Sequence, residues 1–199
     1  MLTLQTNAPI INVSMWFYKK KKGGIFMKMK AFLLLLAMMC VLGATCFAER
    51  SPINQNAVPL PQERMALGGI HVGDTMEIVK SILGDPDSKD YGYSQMAEKK
   101  VATWAYGNSA SIYFFESEGE YYVQIVKVDA DNGFATPDGI KVGMDENALK
   151  KAYGEPYFYV PSQNGGAQYR YRNDRYSQVE FVFQIMNGKI TNIGLGFND

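Results

Sequence analysis

The sequence has two cysteines and one histidine in 199 residues. Both cysteines, Cys40 and Cys46, fall before Glu49, so residues 49–199 can form neither a disulfide nor a thiol centre. With His71 as the single histidine, a multi-histidine metal cluster is excluded. Acidic residues are missing from the start of the chain: no Asp or Glu precedes Glu49, whereas Lys19, Lys20, Lys21, Lys22, Lys28 and Lys30 do. The formal net charge of zero therefore averages two unlike pieces. Without residues 1–48, the balance of 20 against 20 becomes 14 against 20, or −6. Such an acidic body lacks the basic footprint of a nucleic-acid binder, and no nucleic-acid partner is expected. A membrane-spanning helix needs about 20 apolar residues, and the most apolar run, Ala31–Leu42, has 12.

That run sits in an ordered context. Met27-Lys28-Met29-Lys30 is basic, Ala31–Leu42 is apolar, and Gly43–Ala48 places the small residues Cys46 and Ala48 just before Glu49. This is the order of a secretory signal peptide over residues 27–48, with cleavage after Ala48. Residues 1–26 precede a good start at Met27 and read as a mis-assigned start extension. The peptide KKGGIFM can be encoded by a purine-rich ribosome-binding stretch ahead of an ATG. The chain is therefore expected to be exported, to a periplasmic, envelope-associated or extracellular location. Membrane attachment is expected only through an uncleaved signal or a lipidated Cys46. Residues 49–61, ERSPINQNAVPLP, contain three prolines and read as a flexible tether.

Residues 69–86 read GIHVGDTMEIVKSILGDP, and residues 139–156 read GIKVGMDENALKKAYGEP, at a constant offset of 70. Each copy carries the same devices. Gly73 and Gly143 break the preceding chain, and Thr75 and Asp145 are placed to cap a helix N-terminus. Ile78, Val79, Ile82 and Leu83 share one helical face, as do Ala148, Leu149, Ala152 and Tyr153. Gly84 and Gly154 suit a left-handed C′ position, and Pro86 and Pro156 prevent the helix from resuming. After each helix come three β-branched or aromatic runs. They are 101–106, 110–115 and 121–128 in the first copy, and 167–172, 178–185 and 189–195 in the second. Trp104-x-Tyr106 corresponds to Tyr169-x-Tyr171, and Asn187-Gly188 is a strong hairpin signal.

The expected fold class is α+β. Two tandem units are predicted over residues 62–130 and 131–199, each a short helix or helix pair followed by a three- or possibly four-stranded antiparallel meander. The two sheets are expected side by side or as one concave surface.

The pattern V-G-x-[TD], a short helix, G-x-P, an aromatic strand and N-G-K-I resembles the SmpA/OmlA (BamE-type) domain of bacterial envelope proteins. Val72, Gly73, Thr75, Val79, Leu83, Gly84, Pro86 and Trp104 carry it in the first copy. Val142, Gly143, Asp145, Leu149, Gly154, Pro156, Asn187, Gly188 and Ile193 carry it in the second. The tandem form is similar to the beta-lactamase-inhibitor-protein fold. The resemblance implies a non-enzymatic, exported protein-binding module of the cell envelope. The alternative it implies is a secreted inhibitor that covers an enzyme with its sheet face.

Candidate chemistry is sparse. His71 has Lys141 as its counterpart in the second copy, the mark of an exposed position. Asp85-Pro86-Asp87 and Asp129-x-Asp131 match no calcium-loop pattern and suit turns and caps. Ser109, Ser111 and Ser117 lack the glycines of a nucleophile elbow. No catalytic residue, metal or cofactor is expected. Tyrosine is abundant, with 13 in the chain. Tyr121, Tyr122, Tyr169, Arg170, Tyr171, Arg172 and Tyr176 are the predicted protein-binding face, because tyrosine and arginine dominate interaction hot spots.

Overall fold

A computed structural model of the chain describes residues 53–162, 164–174 and 177–197. The expected start extension, the signal peptide with its cleavage site at Ala48, and Cys46 lie outside the described residues. So does Tyr176.

Two short helices form where the repeat predicts them, α1 (Met76–Leu83) and α2 (Glu146–Tyr153). Thr75 Oγ1 accepts from the Ile78 N–H at 3.3 Å, capping α1. Asp145 makes no such cap; its carboxylate faces Lys189 Nζ at 3.0 Å instead. Gly73 and Gly143 have φ of 90° and 91°, and their N–H groups donate to Val123 and Ile190 carbonyls, both at 2.8 Å. Each helix is thereby tied to a strand at the same point of the repeat.

Gly84 (φ 80°, ψ −164°) and Gly154 (φ 73°, ψ −155°) end the helices. They lie beyond the left-handed helical region, in the extended positive-φ region that only glycine adopts readily. Their carbonyls accept from Tyr106 and Tyr171 hydroxyls, at 3.2 and 3.1 Å. A Cβ at either glycine would meet nothing within 4 Å, so a substitution there acts through the backbone alone. Gly84→Ala and Gly154→Ala should each destabilise by about 2 kcal/mol. Urea unfolding checks this, and an unchanged midpoint would contradict the strained geometry.

Among the described residues the eight strands are β1 (Ser88–Ser94), β2 (Lys99–Tyr106), β3 (Ala110–Ser117), β4 (Glu120–Val128), β5 (Phe158–Pro161), β6 (Gly166–Arg172), β7 (Val179–Met186) and β8 (Lys189–Phe197). They form a single antiparallel sheet in the order β1-β2-β3-β4-β8-β7-β6-β5. The expectation of two tandem helix-plus-three-strand units is therefore corrected to one mostly-β, eight-stranded sheet with two short helices. Two causes account for the difference. First, β1 and β5 are edge strands whose polar or short sequences, SKDYGYS and FYVP, show no alternation, so they are hidden from pattern reading. Second, β4 and β8 would each have been a sheet edge with unpaired backbone groups. They pair with each other instead, from Ile125↔Gly196 to Val128↔Ile193.

The chain also crosses between halves. Within the expected tether, the Asn54 N–H donates to Tyr157 O at 3.0 Å, and the buried Leu60 donates to Arg172 O at 2.7 Å. Arg64 reaches Asp138 (2.9 Å) and the Ala152 carbonyl (3.0 Å), with its guanidinium 4.7 Å from the Tyr153 ring centroid. Phe134, from the connection before α2, packs back against Tyr106 of β2.

All of this covers one face of the sheet. Leu60, Met65, Leu67, Ile70, Val79, Ile140, Leu149 and Tyr153 form one core with Trp104, Ile112, Val126, Leu195, Phe181 and Tyr171. Of the predicted α1 face, Val79 is buried, while Ile78 and Ile82 are 42% and 47% exposed. Burial pushes the hydroxyls of Tyr106, Tyr153 and Tyr171 upward, Tyr106 to about 12 with help from the nearby Asp85 charge. These groups hold their protons more tightly folded than unfolded. Their stability contribution is full below pH 10, the ordinary tyrosine value, and is lost as pH rises toward 12. Stability followed by urea unfolding between pH 9 and pH 12 should fall; Tyr106→Phe should flatten the fall.

Candidate functional site

Side chains alternate across a strand with period two, and the register turns that alternation into rows crossing the whole sheet. One row runs Tyr171, Phe181, Leu195, Val126, Ile112, Trp104, Lys89. It belongs to the sealed face. The next runs Arg172, Glu180, Gly196, Ile125, Tyr113, Thr103, Asp90. Another of the same parity runs Phe158, Arg170, Val182, Gly194, Lys127, Ser111, Ala105, Ser88. These two rows lie on the opposite face, which no described element covers.

The predicted binding residues divide between the faces. Tyr169 and Tyr171 are buried in the core at 4% and 2% exposure. Tyr121 pairs with Glu116 on the core parity and packs edge-on against Tyr91, with centroids 6.0 Å apart. Tyr122 pairs with Phe115 on the bare face. Its hydroxyl donates to Glu120 Oε2 at 2.9 Å, and that bond raises its pKa. Arg170 and Arg172 are also on the bare face. The fold-motif residues keep structural positions: Trp104 is buried 5.1 Å from Phe114, Pro156 is buried and Pro86 half-buried.

The residue that organises the bare face is Glu180, absent from the sequence-based prediction. It is completely buried. Its Oε1 accepts from Arg172 Nε, and its Oε2 faces Arg170 as an ion pair. The Arg172 guanidinium also lies over Tyr157 and Phe158, 5.3 and 5.0 Å from their centroids, and Arg170 lies 5.7 Å from Phe158. Two cations thus share one anion on an aromatic support.

Beside this triad, the central strand β8 presents Gly194 and Gly196. A Cβ on Gly196 would fall 2.8 Å from both Gln124 O and Ile125 Cγ1, where β4 bulges toward it. Close approach therefore demands glycine there. The result is a shallow depression of about 110 Å³ walled by Ile125, Val182 and Phe197, with Glu180 at one side. A neighbouring one of about 280 Å³ adds Lys99, Phe115, Gln124 and Gln178. A third cavity, about 370 Å³, lies off this face between α2 and β5–β6 and is lined by Lys150, Tyr159 and Tyr169. A sequence signal for the bare face existed: Arg170-x-Arg172 and Gly194-x-Gly196 each place two residues on one parity, and the Asn187-Gly188 turn sets the register between β7 and β8.

Among the described residues, no group of three or more His, Cys, Asp or Glu could hold a metal ion. His71 lies half-exposed, with Nδ1 3.7 Å from Asp74. The bare face offers arginine side chains, aromatic rings and a furrow.

No protein-family model matches the chain, so the SmpA/OmlA resemblance gains no support there. No curated protein matches it either. Among solved structures, it is similar to a "putative beta-lactamase inhibitor protein" from Streptococcus mutans. The identity is 15% and the TM-score 0.26, over 61% of this chain and 81% of that one. A likeness of that degree decides neither fold nor function.

Proposed function

We propose that this chain is an exported, non-enzymatic protein-binding module of the bacterial cell envelope, resembling SmpA/OmlA proteins, whose bare sheet face docks its partner. The observation that supports the reading is the one-sided sheet. Helices and connections seal one face, while the other leaves Tyr113, Phe115, Tyr122 and Phe158 half-buried and Ile125 exposed. Rings of this kind supply rigid contact area at small entropic cost. Export rests on the basic-apolar-small order of residues 27–48. The second reading, a secreted enzyme inhibitor, uses the same face to cover an enzyme, and the rows of arginine and aromatic residues suit either.

The test is affinity capture from native envelope extracts with tagged residues 49–199 as bait, crosslinked before mass spectrometry. Recovery of an envelope assembly component is the expected result. Recovery of a hydrolase, with its activity inhibited by the pure protein, would shift the reading to the inhibitor. Turnover of a substrate, lost on changing an acidic residue, would overturn both.

A further inference from the structure

We infer that the furrow over β8 receives an extended, acidic segment of a partner protein, one carboxylate seated at Arg170 and Arg172 and an apolar neighbour between Ile125 and Val182. The inference rests on the reading of the bare face as a docking surface and names the chemistry of what docks.

Charge carries the argument. Glu180 neutralises one of two guanidiniums, so the triad keeps one positive charge. It does so on a body whose net charge is −6 over residues 49–199. The local cation is therefore a feature of this spot and not of the surface at large. The two arginines need no reorganisation to bind. Glu180 holds both from below, and Tyr157 and Phe158 flank them. Their side chains remain 20% and 16% exposed. A guanidinium has five donors in a rigid fork that fits a carboxylate.

Shape carries the rest. Gly194 leaves out a side chain on the central strand, while Ile125 Cγ1 and Gln124 O close over Gly196, and the shallow furrow runs past both between Ile125 and Val182. Of the two, only Gly196 is required by packing. At Gly194 a Cβ would find its nearest neighbour, the Val182 carbonyl, at 4.0 Å, and the backbone φ is not positive. The fold would tolerate a side chain there; an extended backbone lying in the furrow would not.

The test is an NMR titration of the 15N-labelled protein with a blocked heptapeptide of alternating Val and Asp. The same peptide with Asn for Asp, inorganic phosphate, and vesicles containing an anionic lipid are run in parallel. Saturable shifts at Gly194, Gly196 and Val182 are expected, with the Asp peptide bound about tenfold tighter than the Asn peptide and weakened by salt. Arg170→Gln should reduce binding. Because that change disturbs a buried ion pair, Gly194→Val is the decisive variant: it should fold normally, valine being favoured in strands, and abolish the shifts. Equal binding of the Asp and Asn peptides overturns the inference. So does binding of phosphate or vesicles in place of the peptide, full binding by Gly194→Val, or no shift at millimolar peptide. If capture of a partner succeeds while these shifts fail, the module reading stands and only the furrow falls.

Discussion

Residues 49–131 produced alone should show no cooperative unfolding transition. Several contacts are lost together. Without β8, the strand β4 becomes a sheet edge, and Val126 and Val128, both fully buried in the whole chain, lose the side chains of Leu195 and Ile193 opposite them. The N-terminal segment loses its footing as well. Leu60 no longer has the Arg172 carbonyl, and Arg64 no longer has Asp138, the Ala152 carbonyl or the Tyr153 ring. What remains is a four-stranded half with one helix, and small single cores supply about 3–5 kcal/mol at best. Circular dichroism with urea checks the expectation. A sharp transition from this fragment would mean that the halves fold as independent bodies joined by a weak β4–β8 seam.

Glu180→Ala should destabilise the protein by about 3 kcal/mol, the lower end of the range for removing one partner from a buried ion pair. The carboxylate is completely buried, so its removal leaves Arg170 and Arg172 facing one another without the anion that joins them. The loss stays at the lower end because both guanidiniums are partly exposed and can turn toward water. Two consequences separate this cause from simple loss of packing. Added salt should restore part of the stability, since it screens the repulsion between the arginines. Arg172→Ala combined with Glu180→Ala should also be less destabilised than the sum of the two single changes. Chemical unfolding of the three variants at low and high salt makes the comparison. Additive losses insensitive to salt would show that the triad contributes only by its shape.

Local structure was legible wherever a device is complete within a few residues. The apolar helical face, glycine stop and proline of each repeat copy, with the Thr75 N-cap in the first, define α1 and α2, because helix ends are settled by nearest neighbours. The Asn187-Gly188 turn and the alternation of 178–185 and 189–195 define the β7–β8 hairpin for the same reason. The edge strands were not legible. Ser88–Ser94 is exposed almost throughout and carries Gly92, so it has no buried face to imprint a period on its sequence. Phe158–Pro161 is too short to show one. Of the predicted binding residues, Arg170 and Arg172 lie on the bare face and Tyr169 and Tyr171 in the core. Tyr169, Arg170, Tyr171 and Arg172 form a single stretch in sequence but two faces in space.

The amino-acid sequence by itself determined the Thr75 cap, the two helices with their glycine stops, and the central strands. Only the tertiary structure decided that β4 and β8 join into one sheet, that the segment before α1 crosses to the second half, and that Glu180 sits between Arg170 and Arg172. The physical reason is range. A cap or a turn is satisfied by atoms a few residues away, whereas the choice of strand partner is made by backbone edges far apart in the chain, and the face of each side chain by the register that pairing sets. Those meet only when the sheet closes over its core.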